Sequence, residues 1–167
     1  TLGRLVVTEA EYAVEATGYA GTYDGAAHGI TVAAPADATV TYTTDNSYTG
    51  VTGGAVEVGY TVERPNYRTI TGSQTVKIDP APLSVMTVGK TRAYDGTPLT
   101  EAGNSVEGLV AGETLGVTNT GSITEVGSTP NTYELEWAGG ENGYTAEESN
   151  YALGQPTLGT LAVTEAE

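Results

Sequence analysis

Apolar and polar residues alternate along much of this chain. Val56, Val58, Tyr60 and Val62 fall on one side of an extended segment with Glu57, Gly59 and Thr61 on the other, and Tyr133, Leu135 and Trp137 alternate likewise with Thr132, Glu134 and Glu136. A period of two is the mark of a strand with one buried face. The same reading predicts strands at Leu5 to Thr8, Ile30 to Ala33, Thr39 to Thr43, Thr75 to Ile78, Leu83 to Val88, Gly116 to Thr120 and Thr160 to Val163, set apart by Gly, Asn, Asp and Pro clusters. No long segment follows the 3.6-residue helical period. The predicted fold is all-β, made of short half-buried antiparallel strands in a small sandwich or roll.

The pattern repeats. Thr1-Leu-Gly-Arg-Leu-Val-Val-Thr-Glu-Ala-Glu11 returns as Thr157-Leu-Gly-Thr-Leu-Ala-Val-Thr-Glu-Ala-Glu167, with nine of eleven positions identical at an offset of 156. Such self-similarity points to one unit of a tandem array. A weaker repeat lies inside it: Tyr23-Asp-Gly25 matches Tyr94-Asp-Gly96, Asn66-Tyr67 matches Asn150-Tyr151, and Gly72–Ile78 matches Gly159–Glu165, in the same order. Two tandem domains follow, residues 10–80 and 81–167, joined end to end by a short linker at Ile78 to Leu83 whose two prolines hold it extended. Residues 1–9 then read as the last strand of a preceding repeat or as an N-terminal extension, peripheral to the first core.

Composition narrows the partners. Acidic side chains number 21 against 6 basic ones, a net charge of −15, which repels nucleic acid phosphates and anionic lipid alike. No apolar run is long enough for a membrane helix, so no membrane insertion is expected in this segment. With no cysteine, disulfides and thiolate metal sites are excluded. Phe is absent and Trp occurs once, so eleven Tyr supply most of the aromatic volume of thin cores.

At Tyr23-Asp-Gly25, Tyr94-Asp-Gly-Thr-Pro-Leu99, Asn66-Tyr67, Asn150-Tyr151 and Gly159-Thr-Leu161, the chain resembles the MBG and YDG repeat families of bacterial surface proteins. The resemblance covers nearly the whole chain. It implies a stalk segment of a large adhesin, extracellular and anchored to the cell wall through regions outside these residues, with neighbouring copies of the repeat as partners. It brings no catalytic residues. The first half departs from the pattern, reading Ala26-Ala27-His28 where the second reads Thr97-Pro98-Leu99.

Candidate chemistry is sparse. Each Tyr-Asp-Gly reads as a turn, with Asp bonding its own following backbone, Gly at positive φ and Tyr packed beside a strand. Glu141, Tyr144, Glu147 and Glu148 lie in a stretch that the first half lacks, where an oxygen-ligand site for Ca²⁺ or a contact for host glycan or matrix protein would be placed. The ordered Asp-x-Asp-x-Asp-Gly spacing of a calcium loop is missing, and no cofactor is expected. Tyr48, Tyr144 and Trp137 are the aromatic candidates for a low-affinity adhesive contact strengthened by repetition. His28, the single histidine, reads as an exposed turn residue, and no catalytic relay, phosphate loop or paired histidines accompany it. A Lys–Asn or Thr–Gln cross-link would have to use Lys77 or Lys90, or Gln74 or Gln155. The expected protein is therefore a monomeric, non-enzymatic spacer, with the adhesive module as its alternative.

Overall fold

Short strands account for the regular structure of both halves of the chain. The computed structural model describes residues 3–166. The chain divides into two units, residues 1–79 and 80–167. Among the described residues there is no α-helix, only a single 3₁₀ turn at Glu148–Asn150, and hence no helix long and apolar enough to cross a membrane.

The first unit contains β1 (Glu15–Thr17), β2 (Tyr19–Thr22), β3 (Thr31–Ala33), β4 (Thr39–Tyr42), β5 (Val56–Glu63) and β6 (Ile70–Asp79). A four-stranded sheet runs in the order β2-β6-β5-β4, and β1 pairs separately with β3. The alternation predicted for β5 is realised: Val58 and Val62 are buried, Val56 and Tyr60 half-buried, and Glu57 exposed. Val76 and Ile78 of β6, with Tyr23 and Ile30, complete this core.

The second unit contains β7 (Ala81–Thr87), β8 (Lys90–Ala93), β9 (Asn104–Glu107), β10 (Gly116–Asn119), β11 (Gly127–Pro130), β12 (Tyr133–Glu136), β13 (Tyr151–Leu153) and β14 (Thr160–Thr164). They form the sheets β11-β14-β8 and β13-β7-β9 and the antiparallel pair β10-β12. Leu99, Leu161 and Val163 pack with Ile123 at the centre, and Leu83, Val85, Ala146 and Tyr151 are buried as well.

Both units are wound on the same plan. An opening strand pairs antiparallel with a neighbour (β1 with β3, β7 with β9), and the next strand runs parallel to the last strand of its unit, β2 to β6 and β8 to β14. Between the two lies a glycine that nothing larger replaces easily. A Cβ on Gly18 would stand 2.5 Å from the carbonyl oxygen of Thr75, and one on Gly89 would stand 2.7 Å from that of Thr160. The backbones cross there at contact distance, which is why both positions are glycine.

Four expectations need correction. The sheets are mixed: β2/β6, β8/β14 and β7/β13 are parallel pairs, because alternation fixes which face is buried and carries no information on strand direction. Tyr19 pairs with Val76 and Lys90 with Leu161, so Val76 and Ile78 correspond to Leu161 and Val163, two residues away from the sequence match of Gly72–Ile78 to Gly159–Glu165. A slip of two keeps every side chain on its face, so the pattern alone does not register it. The residues read as a linker are strand instead: Ile78 and Asp79 end β6, Ala81 to Leu83 open β7, and only Pro80 lies between. No strand forms at Leu5 to Thr8, where Leu5 is 93% and Val7 91% exposed. That segment is peripheral to the first core, and Thr1 and Leu2 lie outside the described residues.

Candidate functional site

The Tyr-Asp-Gly turns are built as their residue types dictate. Asp24 Oδ1 accepts from Ala26 N at 2.9 Å and Asp95 Oδ1 from Thr97 N at 2.9 Å, while Gly25 and Gly96 take φ of 77° and 80°. These bonds hold both aspartate carboxyls below the usual range: His28 and then the Ala26 amide act on Asp24, and the Thr97 hydroxyl and amide on Asp95. The two tyrosines part company. Tyr23 is buried, whereas Tyr94 is 40% exposed.

His28 is not the open turn residue that the sequence suggested. Its ring stacks on Tyr19, with centroids 3.9 Å apart and planes inclined by 9°. Its Nε2 lies 2.9 Å from Asp24 Oδ1 and 3.1 Å from Tyr19 Oη, and the side chain is largely shielded. Backbone bonds in both directions tie it to Tyr48, as Leu99 is tied to Ile123 in the second unit. His28 thus fills the structural place of Leu99, and partners substitute for apolar burial. The i,i+4 spacing of Asp24 and His28 was the signal available in the sequence.

The Asn-Tyr motifs seat tyrosines in two different settings. Tyr67 meets Tyr12 edge to face at 5.5 Å and carries the Arg64 guanidinium 3.9 Å above its ring, with Arg64 Nε held by Asp37 at 2.8 Å. Tyr151 is buried against Trp137, accepts from the Val110 amide at 3.0 Å and donates to Glu113 Oε2 at 2.5 Å. Burial first, and the Glu113 carboxylate second, push its phenol up to about 12.

The acidic stretch after β12 is a loop closed by its own bonds and tied to Thr114 through the amides of Thr145 and Ala146. Ala138 N bonds to Ala146 O at 2.8 Å, Gly139 and Gly143 take φ of 90° and 72°, and Glu136 receives both the backbone and the side-chain amide of Asn142. Tyr144 is half-buried with its ring over Gly116, while Glu141, Glu147 and Glu148 are exposed. Among the described residues, no group of three or more His, Asp or Glu side chains converges on a point that could hold a metal ion. Tyr48 is half-buried at its bridge to His28. The structure brings Tyr48 together with His28 in the first unit, while Glu141, Tyr144, Glu147 and Glu148 belong to the second.

A buried polar knot in the second unit was not legible. Asn131 is fully buried; its Nδ2 donates to the carbonyls of Val88 and Glu101 at 2.9 and 2.8 Å, and its own carbonyl accepts from Thr87 Oγ1 at 2.7 Å. Thr87 Oγ1 in turn accepts from Gly159 N at 3.0 Å. This knot fastens β7 to the stretches that flank β14, and nothing about an Asn after Pro130 announces it. The two lysines weighed for a cross-link sit near the surface: Lys77 Nζ pairs with Asp79 at 2.9 Å and Lys90 Nζ with Glu101 at 3.2 Å, each lysine about half exposed.

The first unit carries an open groove of about 360 Å³ lined by Glu11, Tyr12, Arg68, Thr69, Ile70 and Thr71. It presents one cation and one carboxylate on a shallow surface. The motifs single out turns, plugs and ties. No protein-family model matches the chain, and no curated protein matches it either.

Proposed function

We propose that this chain is a structural spacer repeat of a large bacterial cell-surface adhesin: two small β-domains, residues 10–80 and 81–167, set end to end in an array that carries a distal binding region away from the cell wall. One observation carries this reading. The same strand plan occurs twice, and the last strand of the first unit gives way to the opening strand of the second across Pro80 alone. A unit that ends where the next begins is suited to repetition, since stacked copies lengthen a protein without any one being indispensable.

Three further features support it. The motifs it shares with the MBG and YDG repeats fall on turns and ties that shape the fold. The net charge of −15 keeps a long, concentrated array from associating with itself. The aromatic side chains that an adhesive contact would use are engaged internally, Trp137 against Tyr151 and Tyr144 over Gly116.

The test is binding of the purified chain, alone and as a covalent tandem of two, to an array of host glycans, mucins and matrix proteins. The spacer reading expects no binding in either form. Binding that strengthens in the tandem would replace it with an adhesive module acting through avidity.

A further inference from the structure

We infer that the segment Arg4 to Thr8 is a donor strand: it completes the sheet of a second-unit module in the neighbouring copy of the repeat, in the place that β14 occupies in this chain. The inference rests on the array reading above and adds to it a named strand, a register and a partner.

Sequence and burial disagree at this segment in an informative way. Leu5 and Val7 match Leu161 and Val163 at the offset of 156, yet they are 93% and 91% exposed while their counterparts are 0% and 3% exposed. Two alternating large apolar side chains, fully exposed and flanked by Arg4 and Thr8, form one face of a strand without a sheet to lie on. The sheet that suits them is known, because β14 occupies it: Leu161 lies opposite Thr129 of β11 on one side and Lys90 of β8 on the other.

The junction spacing agrees. Ala81, which opens β7, comes five positions after Val76, which is buried in β6, and Ala10 comes five positions after Leu5. Ala10 makes a parallel bridge to Tyr67 as Ala81 does to Tyr151. The first unit therefore begins, at Ala10, the same distance after a last-strand sequence as the second unit does. Arg4 to Thr8 can lie in a neighbour's sheet without disturbing that bridge. In an array with a period of 156 residues, residues 157–167 of one copy are residues 1–11 of the next, and the occupant of the vacant place is fixed.

The register makes the donor specific. Leu5 and Val7 take the buried places of Leu161 and Val163, whereas the two differences between the segments, Arg4 for Thr160 and Val6 for Ala162, fall on the opposite face, where Thr160 is exposed and Ala162 half-buried. The changes thus spare the positions that a core constrains.

The full chain carrying T160R/A162V puts the donor sequence in the place of β14. Hydrogen exchange should show residues 161–164, β8 and β11 as protected as in the parent chain, with an unchanged thermal midpoint. Loss of protection in those three strands overturns the proposal. Should arginine at 160 disturb the strand for reasons of its own, a second measurement decides. In the full chain with L161D/V163D, β14 is disabled, and a synthetic peptide of Thr1 to Glu11 should restore the protection of β8 and β11, while the same peptide with L5D/V7D should not. Failure of the parent peptide to restore it overturns the proposal. Neither readout depends on whether the array binds a host ligand, so the donor strand and the spacer reading fail separately.

Discussion

Gly18 and Gly89 show how tightly single positions are constrained. Each lies where the chain leaves one strand and crosses the backbone of its unit's last strand, with no room for a methyl group. Gly89→Ala is expected to destabilise by about 1 to 3 kcal/mol, the range for forcing atoms into a filled space. Gly112→Ala is the informative contrast: no atom would touch the added Cβ, and any loss there arises only from its φ of 90°. Chemical denaturation of the two variants separates crowding from backbone strain. Tyr151 sets an alkaline limit. Its phenol titrates at about 12 in the fold against an ordinary 10, so the stability it contributes is fully present below pH 10 and is lost as the pH rises towards 12. Absorbance at 295 nm should show one tyrosine ionising late, and Tyr151→Phe should abolish that phase. The acid side has the opposite sign. Asp24, Asp37, Asp95 and Glu101 all have lowered pKa values, through His28, Arg64, the Thr97 hydroxyl and the Gly103 amide respectively. Their contribution is present above the unfolded carboxyl values and is lost as the pH falls through the folded ones, so the thermal midpoint should drop below pH 4.5. A midpoint flat from pH 6 to pH 2 would show that these pairs are inert in solution.

At the scale of elements, β7 and its counterpart in the first unit differ. β7 is a continuous strand, paired on one side with β13 and on the other with β9. Residues 10–17 keep the alternation of half-buried and exposed positions but form only the Ala10 bridge and β1. Amides at residues 11–14 should therefore exchange faster than those at residues 82–86 by hydrogen exchange. Equal rates would mean that the first unit's opening strand is as well formed as β7. The same comparison shows what the sequence discloses. The faces of β5 and β12 and the Tyr-Asp-Gly turns were legible, because alternation and Asp-Gly chemistry are local. The parallel pairs, the two-residue shift between β6 and β14, and the tie at Asn131 were not. Each depends on partners distant in the sequence, as with Thr87 and Asn131, 44 residues apart, and a period of two is blind to strand direction and to even slips. Strands as short as β1 and β13, three residues each, leave too little pattern to read. His28 was misjudged because its burial comes from stacking on Tyr19, nine residues back, which hydropathy does not record.

At the scale of the whole molecule, the proposed spacer function is a matter of repetition. Of the candidate residues, Tyr48 and Tyr144 are half-buried, and Glu141, Glu147 and Glu148 are exposed on a loop that a backbone bond between Ala138 and Ala146 closes. What recurs instead is a last-strand sequence followed, after the same spacing, by the start of a unit's opening segment, at Leu5 and Ala10 and at Val76 and Ala81, with the last-strand sequence itself returning at Leu161. As the spacer proposed above, a chain organised in this way serves by being copied, and its measurable property is length. Small-angle scattering on the chain as one, two and four covalent copies, joined with the 156-residue period and measured at physiological salt, tests that claim most directly. The spacer account predicts a maximum dimension that grows in proportion to copy number, with a constant cross-section. Copies that fold back into a globule, with a maximum dimension rising only as the cube root of mass, would contradict it.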